Sequence, residues 1–238
     1  MPLPISLYLA STSPARLTIL RAAGVEPIVV PSGVDEHAVA AAAERAGQLL
    51  DGSTLVMLLA RAKAEAVGGS DPAGLGGATL GAETLSAETL GSGDSGIDGL
   101  ILGVDSAFEF DGRLYGKPHR PEIARQRWIA QSGRSGILHS GHWLIDHRGG
   151  SPRAAVGGVS SASVTFADVS AEEIDAYIAT GEPLEVAGAF TIDSLGAAFV
   201  SRIEGDPHTV VGVSVSLVRM LAGQFGVAWP DVWNRRAL

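Results

Sequence analysis

The apolar residues of this chain form short continuous runs that alternate with stretches of helical period, the pattern of an α/β protein. Ile5 to Ala10 is such a run and predicts a short buried strand. It breaks at Ser11, Thr12 and Ser13 and then meets Pro14. A proline at the first helical position after a serine predicts a helix start, because its fixed φ suits the helix and its missing N–H would be unpaired anyway. That helix carries Leu17 and Leu20 inward and stops at Gly24. Glu26 to Pro31 reads as a second strand, followed by an Ala-rich helix from His37 to Leu49 and another from Ser53 to Val67.

The second half repeats the alternation. Leu100 to Val104 is a continuous apolar strand, typical of a sheet buried on both faces, and ends at Asp105. Asp111-Gly112 predicts a hairpin turn between Ala107–Phe110 and Arg113–Tyr115. Pro121 opens a helix reaching Ser132, and Gly136–Ile145 and Ala154–Phe166 read as a hairpin around His147 to Gly150. Ser170 and Glu173 form a capping box for a helix that ends at Thr180-Gly181. Ala198 to Ile203 predicts a strand, and one last helix begins near Val210.

Gly68 to Gly99 breaks the pattern. It is rich in Gly, Ser, Thr and Asp, repeats Ala-Glu-Thr-Leu at Ala82 and Ala87, and has neither period. Such composition predicts a flexible low-complexity insertion that stays out of the core. The whole, residues 1–238, reads as a single domain long enough to bury most of its apolar surface.

Charge and cysteine content narrow the function. A formal net charge of −9 argues against general nucleic-acid binding, which needs basic patches for phosphates. The absence of cysteine excludes disulfides and thiolate metal sites. No apolar run approaches the ~18 residues of a membrane helix and no signal peptide is visible, so a soluble cytoplasmic protein is the expectation.

Against that background several polar residues stand out. The turn Ser11–Ser13 opens a helix whose free N–H groups suit an anion, and Arg16 in its first turn can fork over the same anion. Asp35-Glu36 after a strand is either a solvated turn or a pair of hard oxygen ligands for a divalent cation. Lys63 continues the row of Leu55 and Leu59, so it either snorkels to solvent or meets a phosphate. Asp105 follows an apolar strand, where open α/β sheets bind ligands. His139 and His142 are three apart on a strand, hence on opposite faces, which favours structural roles.

These segments together resemble the Maf (septum-formation-inhibitor-like) family of nucleoside triphosphate pyrophosphatases. The resemblance rests on Ser11-x-Ser13-Pro14-x-Arg16, the Ala-x-Ala-Lys-Ala run from Ala60, Gly-x-Asp-Ser at 103–106, Gly116-Lys117-Pro118, and Gly181-Glu182-Pro183-Leu184 with Ala187 to Phe190. Departures are Ala15 where the family often has arginine, Ser106 for threonine, Asp193 where many members have glutamine, and Thr209 for asparagine. The resemblance implies a twisted mixed sheet flanked by helices, in the inosine-triphosphate-pyrophosphatase superfamily, and a homodimer. It implies hydrolysis of a triphosphate to monophosphate and pyrophosphate, with Asp105 as proton acceptor, Lys63 and Lys117 as catalytic cations, and Mg²⁺ or Mn²⁺ on Asp105 and Glu36. Ser11, Ser13, Arg16, Glu182 and Asp193 become candidates for substrate contact.

Two rivals differ in class. A nucleotide-binding regulator of division would sense without cleaving, and an intact Asp105 counts against it. A nucleotidyl or sugar-nucleotide transferase would need a glycine-rich phosphate loop, where this chain has hydroxyls.

Overall fold

The computed structural model describes residues 3–69, 84–86 and 96–235. The strands are β1 (Leu7–Leu9), β2 (Ile28–Val29), β3 (Thr84–Ser86), β4 (Leu100–Phe110), β5 (Arg113–Tyr115), β6 (Ser135–Asp146), β7 (Ala154–Phe166) and β8 (Val200–Glu204). The α-helices are α1 (Pro14–Ala22), α2 (Glu36–Arg45), α3 (Gly52–Gly68), α4 (Pro121–Gln131), α5 (Ala171–Ala179), α6 (Pro207–Val211) and α7 (Val215–Gln224). The sheet is mixed, in the order β2-β1-β4-β6-β7-β3, with β5 on β4 and β8 on β7. β1 pairs in parallel with β2 and β4, whereas β5, β3 and β8 pair antiparallel to their neighbours. Helices flank this mixed α/β sheet as expected.

The chain divides into two compact units. The first comprises Met1–Asp105, Gly141–Val159 and Val213–Leu238, and the second Ser106–Ser140 and Ser160–Gly212. In the first unit Ala10, Met57, Ala60, Ala64, Ile101, Trp143 and Ile145 form one apolar cluster. Burying side chains of this size contributes roughly 1.5–3 kcal/mol each for the larger ones. α3 is buried almost all round: apolar and alanine side chains make up most of it, and the buried Glu65 is paired with Arg61 at 2.8 Å. In the second unit the core is aromatic. Trp128 meets Phe166 and Tyr177 edge-on at 5.4 and 5.5 Å, and its indole N–H donates to the carbonyl of Ala189 at 2.7 Å.

Several expectations need correction. β4 does not end at Asp105 but runs on to Phe110, because pairing with β5 continues the strand to the Asp111-Gly112 turn, where φ is 51° and 68°. The last predicted helix is two, α6 and α7, separated at Gly212, with Ser214 capping the second through Leu217 N–H. Of the segment 68–99, Gly68 closes α3, Thr84–Ser86 forms β3, and Ile97 is buried in the core of the first unit. Residues 70–83 and 87–95 of that expected insertion lie outside the described residues. Among the described residues no helix is long and apolar enough to cross a membrane.

The C-terminal segment, which sequence patterning left without an assignment, clips onto the α1–β2 turn. The Asn234 side chain pairs with both backbone groups of Glu26, at 2.5 and 2.9 Å, and Trp233 packs over Gly24.

Candidate active site

Four ionic side chains of the first unit converge: Arg16 and Glu36 from the first turns of α1 and α2, Lys63 from α3 and Asp105 from β4. α1 begins as expected at Pro14, but Ser13 at the N-cap makes no side-chain cap bond. Ser11 fills in: its Oγ accepts from the Ser13 N–H at 3.3 Å and from the Arg16 guanidinium at 2.9 Å. The same guanidinium nitrogen donates to the Val104 carbonyl at 2.9 Å. Arg16 is therefore turned inward, 9% exposed, and ties the hydroxyl turn to the residue before Asp105.

Asp35 is the cap of α2, accepting from the Ala38 N–H, which leaves Glu36 at the first helical position with its carboxylate half-exposed. Lys63 lies on α3 and is 8% exposed, so the snorkelling alternative does not hold. Its Nζ is 2.6 Å from Asp105 Oδ1 and 2.6 Å from Glu36 Oε1. Two glycines bring this about. A Cβ on Gly103 would sit 2.0 Å from the Ala60 carbonyl oxygen and 2.8 Å from the Ala64 nitrogen. A Cβ on Gly141 would sit 2.3 Å from the Val56 carbonyl oxygen. α3 thus lies with its backbone directly on β4 and β6, close enough for Lys63 to reach Asp105.

Burial pushes the Asp105 carboxyl above its ordinary value, against the pull of Lys63 and Arg16 and with a further push from Glu36. Burial also lowers the Arg16 guanidinium, opposed by Asp105 and Glu36. The cluster sets two carboxylates against two cations. Around one ammonium it holds a stand-in for a bound cation: two carboxylate oxygens at equal distance from a single positive charge. Among the described residues no group of three or more His, Cys, Asp and Glu side chains converges.

The remaining expected site residues lie in the second unit. Lys117 is exposed in the loop between β5 and α4. That loop is pinned by Arg127, whose guanidinium donates to the Gly116 carbonyl and stacks over Tyr115 at 5.0 Å. Asp193 is exposed in the loop before β8. Glu182 is occupied by the protein itself. Its carboxylate accepts from the Tyr177 hydroxyl at 2.9 Å, the Thr191 hydroxyl, the Gly196 N–H at 3.0 Å and the Leu195 N–H at 3.2 Å. It organises the loop that carries Asp193 and leaves little capacity for substrate. Ser106 joins a hydroxyl ladder, bonding Ser140 at 2.8 Å, while Ser140 donates to the Thr209 carbonyl at 2.9 Å. The two histidines meet separate partners: His142 accepts from the Ser214 N–H, and His139 bonds Ser161.

Burial alone would raise the Glu182 carboxyl, but the donors from Thr191, Gly196, Ser194 and Tyr177 outweigh it and hold it at about 2. In the unfolded chain it returns to the ordinary 4.5, so its stabilising contribution is complete above that value and is lost as pH falls through 4.5 toward about 2. Glu182→Gln is expected to cost about 1–3 kcal/mol at neutral pH. Urea unfolding of both proteins at pH 7 and at pH 3 checks this. The gap should narrow at the lower pH, and an unchanged gap would show that the ionised form is not what the donors hold.

A family model described as Maf-like protein matches residues 6–225. A nucleoside triphosphate pyrophosphatase of Leifsonia xyli subsp. xyli (strain CTCB07) is 60% identical over 229 residues, covering 96% of this chain and 97% of that protein. Proteins of the same name from Nocardia farcinica (strain IFM 10152) and Salinispora tropica (strain ATCC BAA-916) are 44% and 46% identical. They match 98% of this chain each, over 98% and 89% of their own lengths.

Proposed function

Since the chain belongs to the Maf family, we propose that it hydrolyses a nucleoside triphosphate to the monophosphate and pyrophosphate. The observation that carries the reading is the cluster of buried Asp105, Lys63 and Arg16 with the half-exposed Glu36 at the hydroxyl turn. A site for a polyanion needs fixed cations, and a hydrolytic site needs a base that is ionised yet poorly solvated.

In this mechanism Asp105 accepts the proton of a water that attacks the α-phosphorus. The bond from that phosphorus to the bridging oxygen breaks, and pyrophosphate leaves with the electron pair. A carboxylate held above its ordinary pKa is the stronger base for this task. Arg16 and Lys63 serve as phosphate cations, with Ser11 and Ser13 as hydroxyl partners at the helix start, and the family resemblance assigns the same role to Lys117. The family resemblance also assigns Glu182 and Asp193 to substrate contact, Glu182 acting through the loop it holds.

Asp105 and Glu36 are also the residues that would hold Mg²⁺ or Mn²⁺. Two hard carboxylates suit such an ion, which takes its other ligands from water and substrate phosphates rather than from an all-protein cage. When bound, the cation neutralises phosphate charge and lowers the pKa of its water. The family resemblance also implies a homodimer, and the composition a cytoplasmic protein; both belong to this proposal.

The test is pyrophosphate release from a panel of common and modified nucleoside triphosphates, with Mg²⁺ or Mn²⁺ and with chelator. Release from at least one triphosphate, stopped by chelator, is expected. Nucleotide binding without release from any would favour a nucleotide-binding regulator instead.

A further inference from the structure

We propose that Lys63 occupies the cation position between Asp105 and Glu36 in the nucleotide-free protein, so that a divalent metal binds together with the polyphosphate and not before it. The proposal rests on reading Asp105 and Glu36 as the metal's ligands. Its basis is geometric: one ammonium sits 2.6 Å from an oxygen of each carboxylate. A metal ion drawn to the same oxygens would have to displace that ammonium or share them with it.

Charge decides which happens. Lys63 and Arg16 already balance Asp105 and Glu36, and the Lys63–Asp105 pair is buried. A free dication adds two positive charges to a balanced, poorly solvated cluster, where like charges repel strongly. Among the described residues the Lys63 ammonium pairs with Asp105 and Glu36 alone. A triphosphate changes both terms. It supplies negative oxygens for the Lys63 ammonium and offsets the charge of the incoming ion. The four-carbon stem and three rotatable donors of lysine allow the exchange without moving α3. Metal and polyphosphate must then strengthen each other's binding by the same factor.

Mn²⁺ binding to the full chain without nucleotide, followed by electron paramagnetic resonance, tests this with no turnover involved. Lys63→Met and Lys63→Gln, each checked by thermal melting, are expected to bind Mn²⁺ at least about tenfold more tightly than wild type. Adding Asp105→Asn to either should remove the gain. In wild type, Mn²⁺ alone should leave the melting temperature unchanged, whereas Mn²⁺ with inorganic tripolyphosphate should raise it beyond tripolyphosphate alone. If the Lys63 variants bind Mn²⁺ no better than wild type while Asp105→Asn weakens it, the gating role is wrong and the metal assignment stands. A gain that survives Asp105→Asn overturns both. A wild-type melting shift from Mn²⁺ alone equal to that with tripolyphosphate also overturns the gating role, whatever the variants do.

Discussion

Asp105→Asn is expected to lower pyrophosphate release at least about 100-fold while leaving the protein folded. The substitution keeps the size of the side chain and a hydrogen-bonding oxygen toward Lys63, but removes the charge that accepts a proton. Positioned acid–base catalysis is worth about 10²–10⁴ in rate, and a lost carboxylate contact to a metal adds to that. Stability should move the other way. The folded carboxyl is raised above its unfolded value by burial, so ionising it costs folding free energy as pH rises above the unfolded value. Lys63 keeps its contact to Glu36 at 2.6 Å, so its ammonium retains one carboxylate partner. Melting at or above the wild-type temperature is therefore expected at pH 7. Retention of more than about a tenth of wild-type turnover, under ~1.4 kcal/mol of barrier, would mean that Asp105 is not the base.

The parts of this site that follow local rules were legible in the chain. The proline start of α1, the Asp111-Gly112 turn and the Ser170–Glu173 capping box are contacts between near neighbours, and each appears where its residues predict. What escaped depends on distant partners. Lys63 and Asp105 are 42 residues apart, so the row Leu55-Leu59-Lys63 could not say whether the lysine met water or a carboxylate. The strand through Asp105 read as ending there because Asp and Ser interrupt the apolar run. Pairing with β5 overrides that local weakness. Ser13 had the right type for a cap, yet Ser11 takes a cap-like role because Arg16 is drawn under the turn toward Val104. Glu182 is a candidate for substrate contact through the family resemblance. Its partners Thr191 and Gly196 come from a loop whose return no periodicity marks. Gly212 and Ser214 did carry a signal for the break between α6 and α7, a glycine followed by a capping serine, which the apolar row running through them masked.

The largest effect on folding is expected at Gly103, and it links that residue's missing side chain to the chemistry two positions later. Gly103 lies on β4 beneath α3, where even a methyl group would fall 2.0 Å from the Ala60 carbonyl oxygen and 2.9 Å from the Ala64 side chain. The obstacles are helix backbone, which cannot rotate aside as a flexible side chain could. Overpacking of a tight core typically costs about 1–3 kcal/mol, and more where backbone must shift. Gly103→Ala should therefore cost about 3 kcal/mol or more, and Gly103→Val should prevent stable folding. Gly47→Ala is a useful contrast: its φ of 83° makes it strained, yet nothing lies within 4 Å of the added carbon. Its cost should stay near the ~1 kcal/mol of a left-handed residue. Urea unfolding ranks the three. Where Gly103→Ala still folds, the methyl must push α3 from β4 and lengthen the Lys63–Asp105 contact, so turnover should fall by more than the unfolded fraction explains. Gly103→Ala with wild-type stability and turnover would show that α3 does not need this glycine to bring its lysine to the carboxylate.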